Sequence, residues 1–262
     1  MADNDDAREQ IEESAVTSTV YHLTVKRGFL ALLVMLGSQI VVGLAFSYGL
    51  GFVRAAGTDI TELERYYTAI ASVLGGGILT LMWIWSEVRR FGPVFGPQIG
   101  LGTSRTSVAR FVLMVLVGFI LIRLFAWGYR AVVLPYFGQN DVVGGATQMF
   151  TYLLEHGSAF GLTTFLALAI FVGPIVEEMV YRGYLQSALA KRLPGWAAIT
   201  LVSLIFTVGH GPAVLWPMYF IFSAAWGWVY FRTGSIKPAI AFHMLNNVYY
   251  TLVAVTGWTV LH

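Results

Sequence analysis

The chain has 262 residues, 57% hydrophobic and only 11% charged, with a formal net charge of +2 and no cysteine. A soluble domain carries about 25% charged residues, so this composition excludes a water-facing globular surface, and the same numbers exclude disorder. Disulfides, thiolate metal sites and a cysteine nucleophile are excluded with the missing Cys, and the small basic excess, which sits in loops, does not suggest nucleic-acid binding.

An all-α, polytopic transmembrane helix bundle of about seven to eight spans is predicted, at about 20 residues per span. The first 27 residues read as a polar, acidic tail (MADNDDAREQIEES), the reverse of a basic signal-peptide start, so the first apolar stretch is expected to stay as an anchor. Apolar stretches then run from about Phe29 to Val53, Tyr66 to Trp85, and Val108 to Leu134, the third containing Arg123. Residues 28–160 are read as the N-terminal transmembrane helices. Within them, Gly75-Gly76-Gly77 is expected to permit close helix packing or a bend. The stretch from Pro135 to Phe160 is either an external amphipathic helix or part of an eighth span. A fourth stretch starts near Leu162 and passes a break at Gly173-Pro174. Three more run from Trp196 to His210, Ala213 to Tyr230, and Ala239 onward. Trp83, Trp85, Trp196, Trp216 and Trp258 fall near span ends, where interfacial anchoring accounts for them.

Loop cations give an orientation. Twelve Lys and Arg lie in the N-terminal tail and alternate loops, among them Lys26, Arg27, Arg89, Arg90, Lys191 and Lys237, against Arg54, Arg65 and Arg130 on the other side. This split predicts a cytoplasmic N-terminus.

Ionisable groups in hydrocarbon cost about 2.5–3.5 kcal/mol each and need explaining. Every Asp lies in a tail or loop. Of the Glu, Glu177 and Glu178 alone sit within an apolar stretch, as do His210 and His243, with Asn246 and Asn247 following. At about 1.5 Å per residue, Glu177 lies about 21 Å from Lys191, His210 about 21 Å beyond Trp196, and His243 and Asn247 about 9 and 15 Å beyond Lys237. The four groups can therefore converge in the cytoplasmic half or middle of the bilayer. Glu178 and Arg182 are four apart with the acid first, the favourable pairing order, and their pairing neutralises two buried charges. Glu177 is turned about 100° away and is free to face the bundle. His243 and Asn247 share a face, and so do Phe206 and His210, the ring packing beneath the imidazole.

Three motifs carry a family resemblance. Glu177-Glu178-Met-Val-Tyr-Arg182 matches E-E-x-x-x-R, Phe206-Thr-Val-Gly-His210 matches F-x-x-x-H, and His243-Met-Leu-Asn-Asn247 matches H-x-x-x-N. In this order, on separate apolar helices, they resemble the CPBP (CAAX protease and bacteriocin-processing, ABI) family of intramembrane endopeptidases. The resemblance implies that residues 161–262 are the catalytic transmembrane helices. It implies peptide hydrolysis with Glu177 as the catalytic glutamate and His210 helping to hold and activate a water. A carboxylate among apolar groups is a stronger base than one in water. His243 and Asn247 would face the carbonyl oxygen and stabilise its developing charge, with Glu178, Arg182 and Phe206 in support. Membrane-associated or C-terminally prenylated peptides are the implied substrates, and the bilayer the implied surroundings.

No cofactor is expected, although Glu177, His210 and His243 could bind zinc with one position open. No H-E-x-x-H is present, and Asn247 is a poor zinc ligand, so metal-free glutamate catalysis is favoured. A two-aspartate mechanism lacks an intramembrane Asp, and a Ser203–His210 dyad lacks a Gly-rich nucleophile turn. Glu177 and Glu178 could instead be structural, paired with Arg182 and Arg123. Arg123 stays unassigned, and Asn246 reads as packing or as support for the residues around the site rather than as catalytic. Two further classes remain: a proton-coupled transporter, suggested by mid-membrane carboxylates beside a Gly-Pro break, and a non-catalytic bacteriocin-immunity or peptide-binding membrane protein.

Overall fold

The computed structural model describes residues 21–53, 61–138 and 142–256. Trp258, Arg54 and most of the acidic tail lie outside the described residues. The described residues fold as helices joined by short connections. Lipid offers the backbone no hydrogen-bond partners, so each crossing segment has to satisfy its own.

Helix α1 spans Val25–Val53 and α2 spans Glu62–Phe91. Thr61 starts α2 with a reciprocal capping box: its hydroxyl accepts from Glu64 N–H at 3.2 Å, and Glu64 Oε2 accepts from Thr61 N–H at 2.7 Å. After one helical turn at Phe95–Gln98, α3 runs Val108–Tyr136, capped by Ser107. Helix α4 is Gly145–His156, α5 is Ala159–Leu189, α6 is Gly195–Val208, α7 is Trp216–Thr233 and α8 is Ile236–Thr256. Gly234, at φ 65°, ends α7 in the left-handed region and turns the chain into α8.

Five of these segments (those of α1, α2, α3, α5 and α7) are long and apolar enough to cross a membrane, α6 is a shorter apolar helix, and α8 has 21 residues. The seven apolar stretches thus become seven helices of an integral multi-pass bundle. Large side chains such as Leu33, Ile40, Leu113, Ile120 and Leu124 face outward, which hydrocarbon tolerates and water does not. Between Pro135 and Phe160 the chain forms α4, whose 12 residues reach about 18 Å, short of the roughly 30 Å hydrocarbon core. It buries Phe150 and Leu153 and is the amphipathic alternative of the two.

Two sequence expectations are refined. Trp85, Trp196 and Trp216 are at least partly exposed near helix ends, but Trp83 packs inward with its ring 5.4 Å from Tyr184. The expected break at Gly173-Pro174 does not occur. Helix α5 continues through it, with wider π-helical turns at Leu168–Val172 and Met179–Gln186 on either side of Gly173–Glu178. A π turn before a proline absorbs its ring and its missing N–H without ending the helix.

The glycine run serves close packing. Helix α2 continues unbroken through it against α1. A Cβ on Gly76 would lie 2.6 Å from Gln39 Cα, and one on Gly75 2.8 Å from Val42 Cγ1. Ser38 Oγ uses the approach to donate to Gly76 O at 2.9 Å. Gly76→Leu is expected to cost about 1–3 kcal/mol through overpacking, read as a lower thermal midpoint of the detergent-solubilised protein. Gly49→Leu on the same helix pair, where nothing lies within 4 Å, should leave the midpoint unchanged.

Candidate active site

Helix α5 places two adjacent carboxylates in different surroundings. Glu178 and Arg182 are both fully buried, with Glu178 Oε2 3.2 Å from Arg182 Nε. Arg182 Nη2 donates to both the carbonyl and the hydroxyl of Ser223 on α7, each at 2.8 Å. The other oxygen of Glu178 accepts from His243 Nδ1 on α8 at 3.0 Å. The guanidinium lies 5.4 Å from the Phe206 ring and 5.5 Å from that of Trp226. Glu178 is therefore occupied on both oxygens and joins three helices.

Glu177 faces the other way. Its Oε1 lies 4.0 Å from His210 Nε2, and its Oε2 lies 3.8 Å from His243 Nε2. Both gaps exceed a direct hydrogen bond. The Glu177 side chain keeps 25% of its surface and His210 keeps 30%, whereas His243 keeps 5%. This carboxylate therefore has imidazoles on two sides and an approach for small molecules.

Both imidazoles are held in place. His210 stands just past the end of α6, and its Nδ1 lies 2.6 Å from Phe206 O. A carbonyl oxygen only accepts, so Nδ1 carries the proton, and Nε2 presents a lone pair toward Glu177 when the ring is neutral. Phe206 lies beneath it, ring centroids 3.9 Å apart and planes 15° off parallel. His243 stacks on Trp226 at 3.7 Å and 14°. Ser203 is buried, and no hydrogen bond joins it to His210 among the described residues.

Of the four residues expected to act together, Glu177, His210 and His243 surround one pocket. Asn247 lies about 6 Å further along α8 than His243. Its Nδ2 donates to Ala169 O on α5 at 2.7 Å, and its Oδ1 accepts from Asn246 Nδ2 at 3.2 Å. Arg123 pairs with neither Glu177 nor Glu178; its Nη2 donates to Asn246 Oδ1. Sequence reasoning missed Trp226 and Ser223, since an aromatic and a hydroxyl in an apolar helix carry no periodic signal. Asn246, read as packing or support, takes part in a polar chain between Arg123 and Asn247.

A metal ion would need Glu177, His210 and His243 together. Zinc ligand distances near 2.0–2.1 Å imply a tetrahedral N···O edge of about 3.3 Å. The two imidazoles instead address different oxygens of the carboxylate at 3.8 and 4.0 Å. Among the described residues no three His, Asp or Glu side chains are grouped to hold a metal ion, so these residues do not fit one in this arrangement.

Residues 159–249 match the family model described as Type II CAAX prenyl endopeptidase Rce1-like. The match starts at the first residue of α5, ends within α8 and contains all three motifs. No curated protein and no solved structure matches the chain. Over residues 159–249 the chain is thus similar to the type II CAAX prenyl endopeptidase, Rce1-like family, in agreement with the CPBP resemblance of its motifs.

Proposed function

We propose that this protein is an intramembrane endopeptidase in which Glu177 activates a water for attack on a peptide carbonyl. The substrates are membrane-associated peptides, including C-terminally prenylated ones of the C-a-a-X type. The observation that carries the reading is the pair of gaps around Glu177, 4.0 Å to one imidazole and 3.8 Å to the other. Two such gaps around one carboxylate suit a bridging water better than direct pairing.

In this reading Glu177 takes a proton from the water as its oxygen attacks the carbonyl carbon. Neutral His210, with Nδ1–H committed to Phe206 O, accepts from the water at Nε2 and aligns it. The carbonyl oxygen gains negative charge and needs donors. A His243 carrying both protons donates Nδ1–H to Glu178 and Nε2–H into the pocket. The Asn247 amide is the second donor. Glu177 then passes its proton to the departing amine nitrogen, closing the proton cycle.

The neighbouring carboxylates separate catalysis from stability. Glu177→Gln should lower cleavage of a membrane-proximal peptide by about 10²–10⁴-fold with an unchanged thermal midpoint. Full activity in that variant would end the proposal. Arg182→Met strands Glu178 at the meeting of three helices and should cost about 3–5 kcal/mol, measured by thermal or denaturant unfolding in detergent. A zinc chelator should leave wild-type cleavage intact. Loss of activity that added Zn²⁺ restores would instead favour a metal held by Glu177, His210 and His243.

A further inference from the structure

Arg123 lies midway along α3, and nothing in the proposed chemistry uses it. Among the described residues it meets no carboxylate. Its guanidinium sits among the rings of Phe119, Phe222, Tyr249 and Tyr250, at 5.2, 4.8, 4.6 and 4.7 Å. Such a cage offsets part of the cost of burying the charge, but a membrane helix that needed only packing would carry Met or Leu there at far lower cost. Its Nη2 donates to Asn246 Oδ1, while Nε and Nη1 are buried without a hydrogen bond.

That bond begins a chain. Asn246 Nδ2 donates to Asn247 Oδ1 at 3.2 Å, and Asn247 Nδ2 donates to Ala169 O at 2.7 Å. The far end of the chain exists because of Pro174. In the π turn of α5, Gly173 N–H bonds Leu168 O, five residues back. Ala169 O would next be served by residue 174, which is proline and has no N–H. The carbonyl is left without a backbone donor, and Asn247 supplies one.

The two ends impose the same polarity. Arginine only donates, so Asn246 turns its oxygen to Arg123 and its nitrogen to Asn247. A carbonyl only accepts, so Asn247 turns its nitrogen to Ala169. Neither amide can flip without two donors or two acceptors meeting. The second N–H of Asn247 has no acceptor among the described residues, and the uncompensated Arg123 charge polarises the chain that ends there.

We infer that Arg123 and Asn246 are positioning residues that fix the Asn247 amide with its nitrogen toward Ala169 O, leaving its second N–H as a donor to the substrate carbonyl oxygen. The inference rests on the endopeptidase reading and names the device that orients one of its donors.

Steady-state cleavage by the full chain in detergent or liposomes tests it. Asn246→Asp keeps an acceptor for Arg123, now as an ion pair, but sets an acceptor-only oxygen against Asn247 Oδ1. It should fold as well as wild type, with kcat lowered ten- to hundredfold and KM within twofold. Arg123→Met should lower kcat similarly; if it fails to fold, Asn246→Asp carries the test. In an Asn247→Ala background neither change should lower kcat further, because both act through that amide. Wild-type kcat in Asn246→Asp, or a loss that adds in full to that of Asn247→Ala, would overturn the inference and leave the endopeptidase reading standing. No cleavage by wild type, or undiminished cleavage by Glu177→Gln, would overturn that reading and this inference with it.

Discussion

The rest of the site depends on one buried charge arrangement, the Glu178 carboxylate held between Arg182 on its own helix and His243 on α8. An unpaired carboxylate at zero exposure inside a membrane bundle is prohibitive, so the pairing is obligatory rather than ornamental. Arg182 in turn satisfies a carbonyl and a hydroxyl of Ser223, which ties α7 to α5. His243 ties α8 to α5 and is pressed against Trp226 of α7. Three helices are thus fixed by one acid, and the free edge of the His243 ring is fixed with them. Such a network adds little net stability compared with apolar packing. Its consequence is geometric, because it leaves a single place for the second imidazole nitrogen to point.

Adjacent glutamates on a helix reach two different surroundings by rotation alone. A step of about 100° puts Glu178 in a closed polar knot and Glu177 in a partly open pocket between two Nε2 atoms. Either residue alone would be a compromise: a fully paired carboxylate is a poor base, and an open one cannot brace the fold. His210 shows the same economy. One nitrogen bonds the Phe206 carbonyl near the end of α6, and the other faces the carboxylate.

The backbone of α5 adds a second kind of constraint. Its π turns lie on either side of the segment that carries both carboxylates. At the first, Pro174 frees a carbonyl that Asn247 occupies. At the second, Gly183 lets the helix approach the turn at Ile99, where a Cβ would lie 2.9 Å from Ile99 O. The helix is widened rather than broken, which removes the broken helix that had suggested a transporter.

Some of this was legible in the residues. Composition determined the membrane bundle, since a chain with 11% charged residues has no other way to cover itself. The i, i+4 spacing determined the Glu178–Arg182 pair, and the rarity of polar groups in the apolar stretches singled out Glu177, His210 and His243. These follow from local periodicity and transfer cost, which a sequence carries in full. Only the tertiary structure decided that His243 bonds Glu178 while facing Glu177, that Trp226 backs it, and that Asn247 engages Ala169 instead of touching the carboxylate. The same holds for Arg123, whose partner proved to be an amide within a ring of aromatics and not an acid. Those contacts join residues from 17 positions apart, for Trp226 and His243, to 123 apart, for Arg123 and Asn246. Helix tilt and rotation set them, and no spacing along the chain encodes either quantity.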